Sequence, residues 1–229
     1  MNRTQSSLTL AIIAVATLSA ACATVARADP PGSGPSGGGM MGSGTSGGMM
    51  RGGMTGMDMG QMMGAMMANA PGPRVEEADA EALGNVTPTG GTIDQATNRI
   101  TFQTADVRLA VLSSPDSGPD MTFRIAGLAD PTVVVPQGAI VTVQFVQADK
   151  DTSHGWLLTA AKPPFSSMPM MDTWAAFAGS SATPLGDPTA DGMHTETVSF
   201  TASAAGQYTY LCPVMDHAQQ GMYGTLIVQ

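Results

Sequence analysis

The sequence predicts an all-β sandwich, preceded by a short helix and a long disordered tether. Three observations predict it. Residues 29–73 hold 15 Gly, 5 Pro and 11 Met in 45 positions, with no Val, Ile, Leu or aromatic residue. Such a stretch buries too little apolar surface to offset the entropy of ordering. All 11 aromatic residues lie between Phe102 and Tyr223, which places the core in residues 74–229. Within that region, β-branched runs alternate with Gly/Pro turns and no regular helical spacing intervenes. That pattern belongs to sandwiches rather than to α/β folds.

The elements follow in order. Residues 1–7 are polar with one cation, Arg3, and residues 8–26 are apolar or small. Ala26-Arg27-Ala28 then offers a small-x-small cleavage site, the layout of a secretory signal peptide. The absence of stop-transfer cations disfavours a membrane anchor. Lipidation at Cys22 is a lower-ranked alternative, because Ser19-Ala20-Ala21 lacks the usual bulky aliphatic residue. Residues 29–73 form the flexible Gly/Met-rich tether. A short helix is expected over Arg74–Leu83, stopped by Gly84. Strands are expected at Arg99–Thr104, Val107–Leu112, Met121–Ile125, Thr132–Val135, Ile140–Gln147, Trp156–Thr159, Thr195–Thr201, Tyr208–Leu211 and Tyr223–Val228. Pro136-Gln137-Gly138 separates two of them in hairpin fashion, and residues 160–194 form a long excursion.

Composition limits the function. The 229 residues carry a net charge of −9 and a pI near 4.5, which argues against nucleic acid. Loss of residues 1–28 removes Arg3 and Arg27 and takes the charge to −11. It also removes Cys22, leaving Cys212 as a lone thiol in an oxidising compartment, where metal ligation would protect it. Three His are too few for a multinuclear copper oxidase.

The informative segment runs from Tyr208 to Val228. Between two strands it presents Cys212, His217 and Met222 at Cys-x4-His-x4-Met spacing. Thiolate, imidazole and weak axial thioether are three of the ligands of a blue copper site, and a second imidazole completes the set. His154, 58 residues upstream and just before Trp156-Leu157-Leu158, fits that place. The competing reading is a buried thiol, a surface imidazole and a core thioether with no metal. His194 lies between a turn and a strand and is expected to be a solvated surface residue.

At these residues the chain resembles the small blue copper proteins, the cupredoxins, and within them the rusticyanin branch. Three blocks carry the likeness: residues 131–145, Ser153-His154 with Lys162 to Phe165 and Met168-Pro169, and Ala205 through Gly224. The resemblance implies a Greek-key cupredoxin sandwich with one type 1 copper held by His154, Cys212, His217 and Met222. It further implies a single-electron carrier, not an enzyme, serving redox partners such as a cytochrome or terminal oxidase. His217 would lie nearest the surface as the electron's port, with Pro213, Met215, Met168 and Met170 around it. Where the family commonly has Ser or Asn after the first His, this chain has Gly155, and Ser153 is the nearby substitute. Export implies a periplasmic or secreted protein, with membrane association only through a lipidated Cys22.

Three other chemistries compete with this reading. Copper storage or delivery would use the eleven methionines between Met40 and Met67 as soft Cu(I) ligands. Those from Met57 to Met67 would share a helical face, but the interrupting glycines oppose a helix. A Cys212–His217 nucleophile lacks an orienting acid beyond Asp216. A thioether ligand disfavours structural zinc.

Overall fold

The computed structural model describes residues 59–229. The signal segment and the tether as far as residue 58 lie outside the described residues. In chain order the elements are α1 (Met59–Met67), β1 (Arg74–Val75), α2 (Glu77–Asn85), β2 (Gly91–Asp94), β3 (Arg99–Phe102), β4 (Asp106–Ser113), β5 (Phe123–Ile125), β6 (Leu128–Ala129), β7 (Thr132–Val135) and β8 (Ile140–Gln147). They continue with β9 (His154–Thr159), α3 (Pro169–Asp172), β10 (Ser181–Leu185), β11 (Met193–Thr201), β12 (Gly206–Leu211) and β13 (Tyr223–Val228).

One sheet has the order β1-β11-β8-β4-β5-β6 and the other β10-β9-β12-β13-β7-β3-β2. Inward residues of both sheets form one core, including Val107, Val111, Phe145, Val133 and Tyr210. The all-β sandwich is therefore the observed architecture. Alternation sets the register: in β8, Val141, Val143 and Phe145 are buried, whereas Thr142 and Gln144 are only half-buried. The outer face of the first sheet carries α2, whose Ala80 packs with Leu112 and Val146.

Three expectations change. Pro136-Gln137-Gly138 does not close a hairpin, because β7 and β8 belong to different sheets. Gly138, at φ +84°, turns the chain from one sheet to the other. The helix expected from Arg74 begins at Glu77, since Arg74 and Val75 pair with β11. Residues 59–67, read as tether, form a helix.

The glycines that argued against that helix explain it. Gly60 and Gly64 are buried, and a Cβ on Gly64 would clash with Asp187. Opposite them, Gly186 lies against the backbone of Met67 and Ala68. The close approach lets Ser153 N–H donate to Gly60 O at 3.1 Å and Asp187 N–H to Gly64 O at 3.0 Å. Arg74 then clamps the helix exit by donating to the carbonyls of Ala68 and Ala70. Tertiary contacts thus offset a propensity cost of about 1 kcal/mol per glycine.

Asp130 gives the fold a pH dependence. Burial pushes its carboxyl up to about 7, against the hydrogen bond it accepts from Phe123 N–H. A folded-state value above the unfolded one stabilises the protein at low pH, and that stability is lost as pH rises through about 7. Asp130→Asn keeps an acceptor oxygen, suits the positive φ of 44° and carries no charge. The expected result in urea denaturation is that wild type loses stability relative to the variant between pH 4 and pH 8. Parallel pH profiles would refute it.

Candidate metal centre

The centre is built by three segments. β9 begins at His154 and pairs with β12 through Leu157↔Leu211. β12 ends at Leu211, so Cys212 emerges beside the start of β9. The loop from Cys212 to Met222 returns the chain into β13 and is closed by backbone bonds. Cys212 N–H donates to Met222 O, and Met222 N–H to His217 O. The loop is also held from outside, where Asp216 N–H donates to Ser167 O and Gln219 Nε2 to Phe165 O.

This packing brings together His154, Cys212 and His217, all buried. Cys212 Sγ lies 3.6 Å from His154 Nδ1 and 3.4 Å from His217 Nδ1, and the two Nδ1 atoms are 3.1 Å apart. The circumradius of that triangle is about 2.0 Å, close to the roughly 2.0–2.3 Å of metal–nitrogen and metal–sulfur bonds. Three heteroatoms at that mutual spacing fit a His2Cys metal site. Met222 is fully buried in the same core cluster as Cys212.

Without metal, the electrostatics favour a Cys212 thiolate beside a protonated His154, whose ring proton a bound metal would displace. Burial raises the Cys212 thiol, but hydrogen bonds from His154 and His217 outweigh it and bring it down to about 6. Burial opposes an imidazolium at His154, yet its bonds to Asp149 and Cys212 push it up to about 9. The thiolate is thus favoured before any metal binds. Asp149 Oδ2 lies 2.9 Å from His154 Nε2. That contact fixes the ring so that Nδ1 points at Cys212. Sequence reasoning missed Asp149; a carboxylate five residues before His154, across a turn, was the available signal.

Other expectations are corrected. His217, at 1% exposed, is the least buried of the four proposed ligands, but its Nε2 is buried and without a hydrogen-bond partner among the described residues, so the ring is not open to solvent. Pro213 is buried, whereas Met168 and Met170 are exposed. His194 is 3% exposed on β11, and its Nε2 donates to Ala68 O at 3.0 Å. The α1–β1 connection covers it, which local sequence around His194 does not reveal. Gly155 is tightly enclosed: a Cβ there would lie 3.1 Å from Ala182 O, Pro184 N and Pro213 Cγ, so those neighbours would have to give by a few tenths of an ångström. Ser153 ties its segment to Leu185 O rather than to the Cys212 loop.

No family model matches the chain. Rusticyanin of Acidithiobacillus ferridurans is 30% identical over 130 residues, covering 57% of this chain and 67% of that protein. The chain belongs to the rusticyanin family. A rusticyanin of Acidithiobacillus ferrooxidans is 29% identical over the same length and shares. Among solved structures, the 1.27 Å rusticyanin from Thiobacillus ferrooxidans aligns with a TM-score of 0.57 at 26% identity, covering 69% of this chain and 96% of that one. Rusticyanin-family membership and the His–Cys–His cluster together support one type 1 copper as the cofactor. At the family level the chain is a cupredoxin-type blue copper electron carrier, not an enzyme.

Proposed function

We propose that His154, Cys212, His217 and Met222 hold one copper ion that cycles between Cu(I) and Cu(II) in an exported electron carrier. The observation that carries this is the convergence of Sγ and two Nδ1 atoms on one point about 2.0 Å from each. The bound metal supplies the one-electron couple. The protein's part is to hold the ligands still and dry. His154, Cys212, His217 and Met222 are each at most 1% exposed, and β9, β12 and β13 are adjacent in one sheet. A buried, cross-braced ligand set reorganises little when the charge changes, which favours fast transfer. Met222 would supply a soft thioether that favours Cu(I).

Residues 1–28 direct export to the periplasm or the outside, and residues 74–229 carry the centre. Among the described residues no helix is long and apolar enough to cross a membrane. Partners are redox proteins such as a cytochrome or oxidase. With His217 buried, they dock over the loop it occupies, where exposed Met168 and Met170 adjoin Ser167, the residue bonded to Asp216. One absorption spectrum of the copper-loaded, oxidised protein tests the site: an intense visible thiolate band is expected. Tight Cu(I) binding with no such band would overturn the carrier reading in favour of copper storage or delivery.

Asp149 tunes this centre. Its charge, one imidazole ring away from the metal, stabilises Cu(II) over Cu(I). At an effective dielectric of about 20 such a charge is worth roughly 2–3 kcal/mol, or on the order of 100 mV for one electron. Asp149→Asn is therefore expected to raise the reduction potential by about that amount while keeping the hydrogen bond and the visible band. An unchanged potential in voltammetry would show that Asp149 exerts no charge effect.

A further inference from the structure

Helix α1 is amphipathic in the wrong sense for a packing element. Its buried residues are Gly60 and Gly64, and none of its methionines is fully buried. Met59, Met62 and Met66 are 48%, 42% and 79% exposed, and Met63 is half-buried. At 3.6 residues per turn, Met59, Met62, Met63 and Met66 fall within one arc of about 100°. Burial cannot be the reason for these side chains, because the stripe that packs is glycine. Every large apolar residue of the helix is Met, so its exposed face is a row of thioethers.

The chemistry of that face is that of a soft ligand set. Side chains three and four residues apart on a helix have Cβ atoms roughly 5–6 Å apart. The unbranched thioether arms are flexible enough to bring their sulfurs together. The helix, Met-Gly-Gln-Met-Met-Gly-Ala-Met-Met, carries no charged side chain and so offers nothing suited to a hard cation. Thioethers select Cu(I). The helix also packs beside the start of β9. Gly60 O accepts from Ser153 N–H, the residue before His154, and Gly64 O accepts from Asp187 N–H.

We propose that Met59, Met62, Met63 and Met66 form a Cu(I) site on α1, separate from the His154–Cys212–His217 centre and beside the strand that carries His154. It narrows the copper-collecting role of the Met-rich stretch to one folded element. It needs no ligand from the buried centre, so it does not depend on the electron-carrier reading.

The test uses the full chain with its buried centre already loaded and reduced to Cu(I), titrated anaerobically with Cu(I) against a chromophoric chelator, with the visible band read on a separate oxidised sample. The quadruple variant Met59→Leu, Met62→Leu, Met63→Leu, Met66→Leu keeps size, apolarity and helix propensity. It is expected to bind one equivalent of Cu(I) less than wild type, with thermal stability and the visible band unchanged. A control with Met40, Met41, Met49 and Met50 replaced by Leu is expected to retain that equivalent. The Met methyl resonances of α1 are expected to shift as the equivalent binds. Equal stoichiometry in wild type and the helix variant, or loss in the control alone, would overturn the proposal. Absence of the visible band from the separate oxidised wild-type sample would instead count against the buried centre.

Discussion

Cys212→Ala abolishes the intense visible absorption of the oxidised protein and lowers copper affinity by more than the ~10–100-fold typical of losing an outer-shell partner. Sγ is one corner of the three-atom cluster, and the band arises from the thiolate itself. Removing it also withdraws a hydrogen-bond partner that raises His154, so that imidazole loses part of its preference for the charged form. The fold is expected to survive, because Ala replaces a small, fully buried side chain among core neighbours. Far-UV circular dichroism separates loss of the centre from loss of structure. A folded variant that stays blue with copper would show that the ligand assignment is wrong.

Gly224→Ala is expected to destabilise the protein by about 3 kcal/mol, the upper end for overpacking a core. Gly224 pairs with Tyr210 across β12 and β13. A Cβ at that position would collide with the Tyr210 ring and its Oη. The ring has nowhere to go: it is 1% exposed, packs edge-on against Phe123, and donates its hydroxyl to Pro131 O at 2.6 Å. Chemical denaturation measures the cost directly. Combining it with Tyr210→Leu removes the collision, so the double variant should fall short of additivity by more than about 1 kcal/mol. Full additivity would mean that the ring is not the obstacle. Because β12 and β13 carry the two ends of the Cys212–Met222 loop, the same change should broaden the visible band.

Much of this was legible in the sequence because its signals are local. Thr132–Val135, Ile140–Gln147 and Tyr223–Val228 are strands with the expected bounds, since alternation and β-branching act over a few residues. The loop bearing Cys212, His217 and Met222 was legible for the same reason. β2 and β10 were missed because Gly91–Asp94 and Ser181–Leu185 are polar or small edge strands, paired by position rather than pattern.

By itself, then, the sequence determined an all-β fold and pointed to the Cys212–His217–Met222 loop and to His154 as candidate ligands, because residue type and short spacing encode them. Only the tertiary structure decided what depends on close approach between distant segments. It set Asp149 against His154 and buried His217. It covered His194 with the carbonyl of Ala68. It also turned a glycine-broken methionine run into a helix, whose glycines supply the contact surface and none of whose methionines is fully buried.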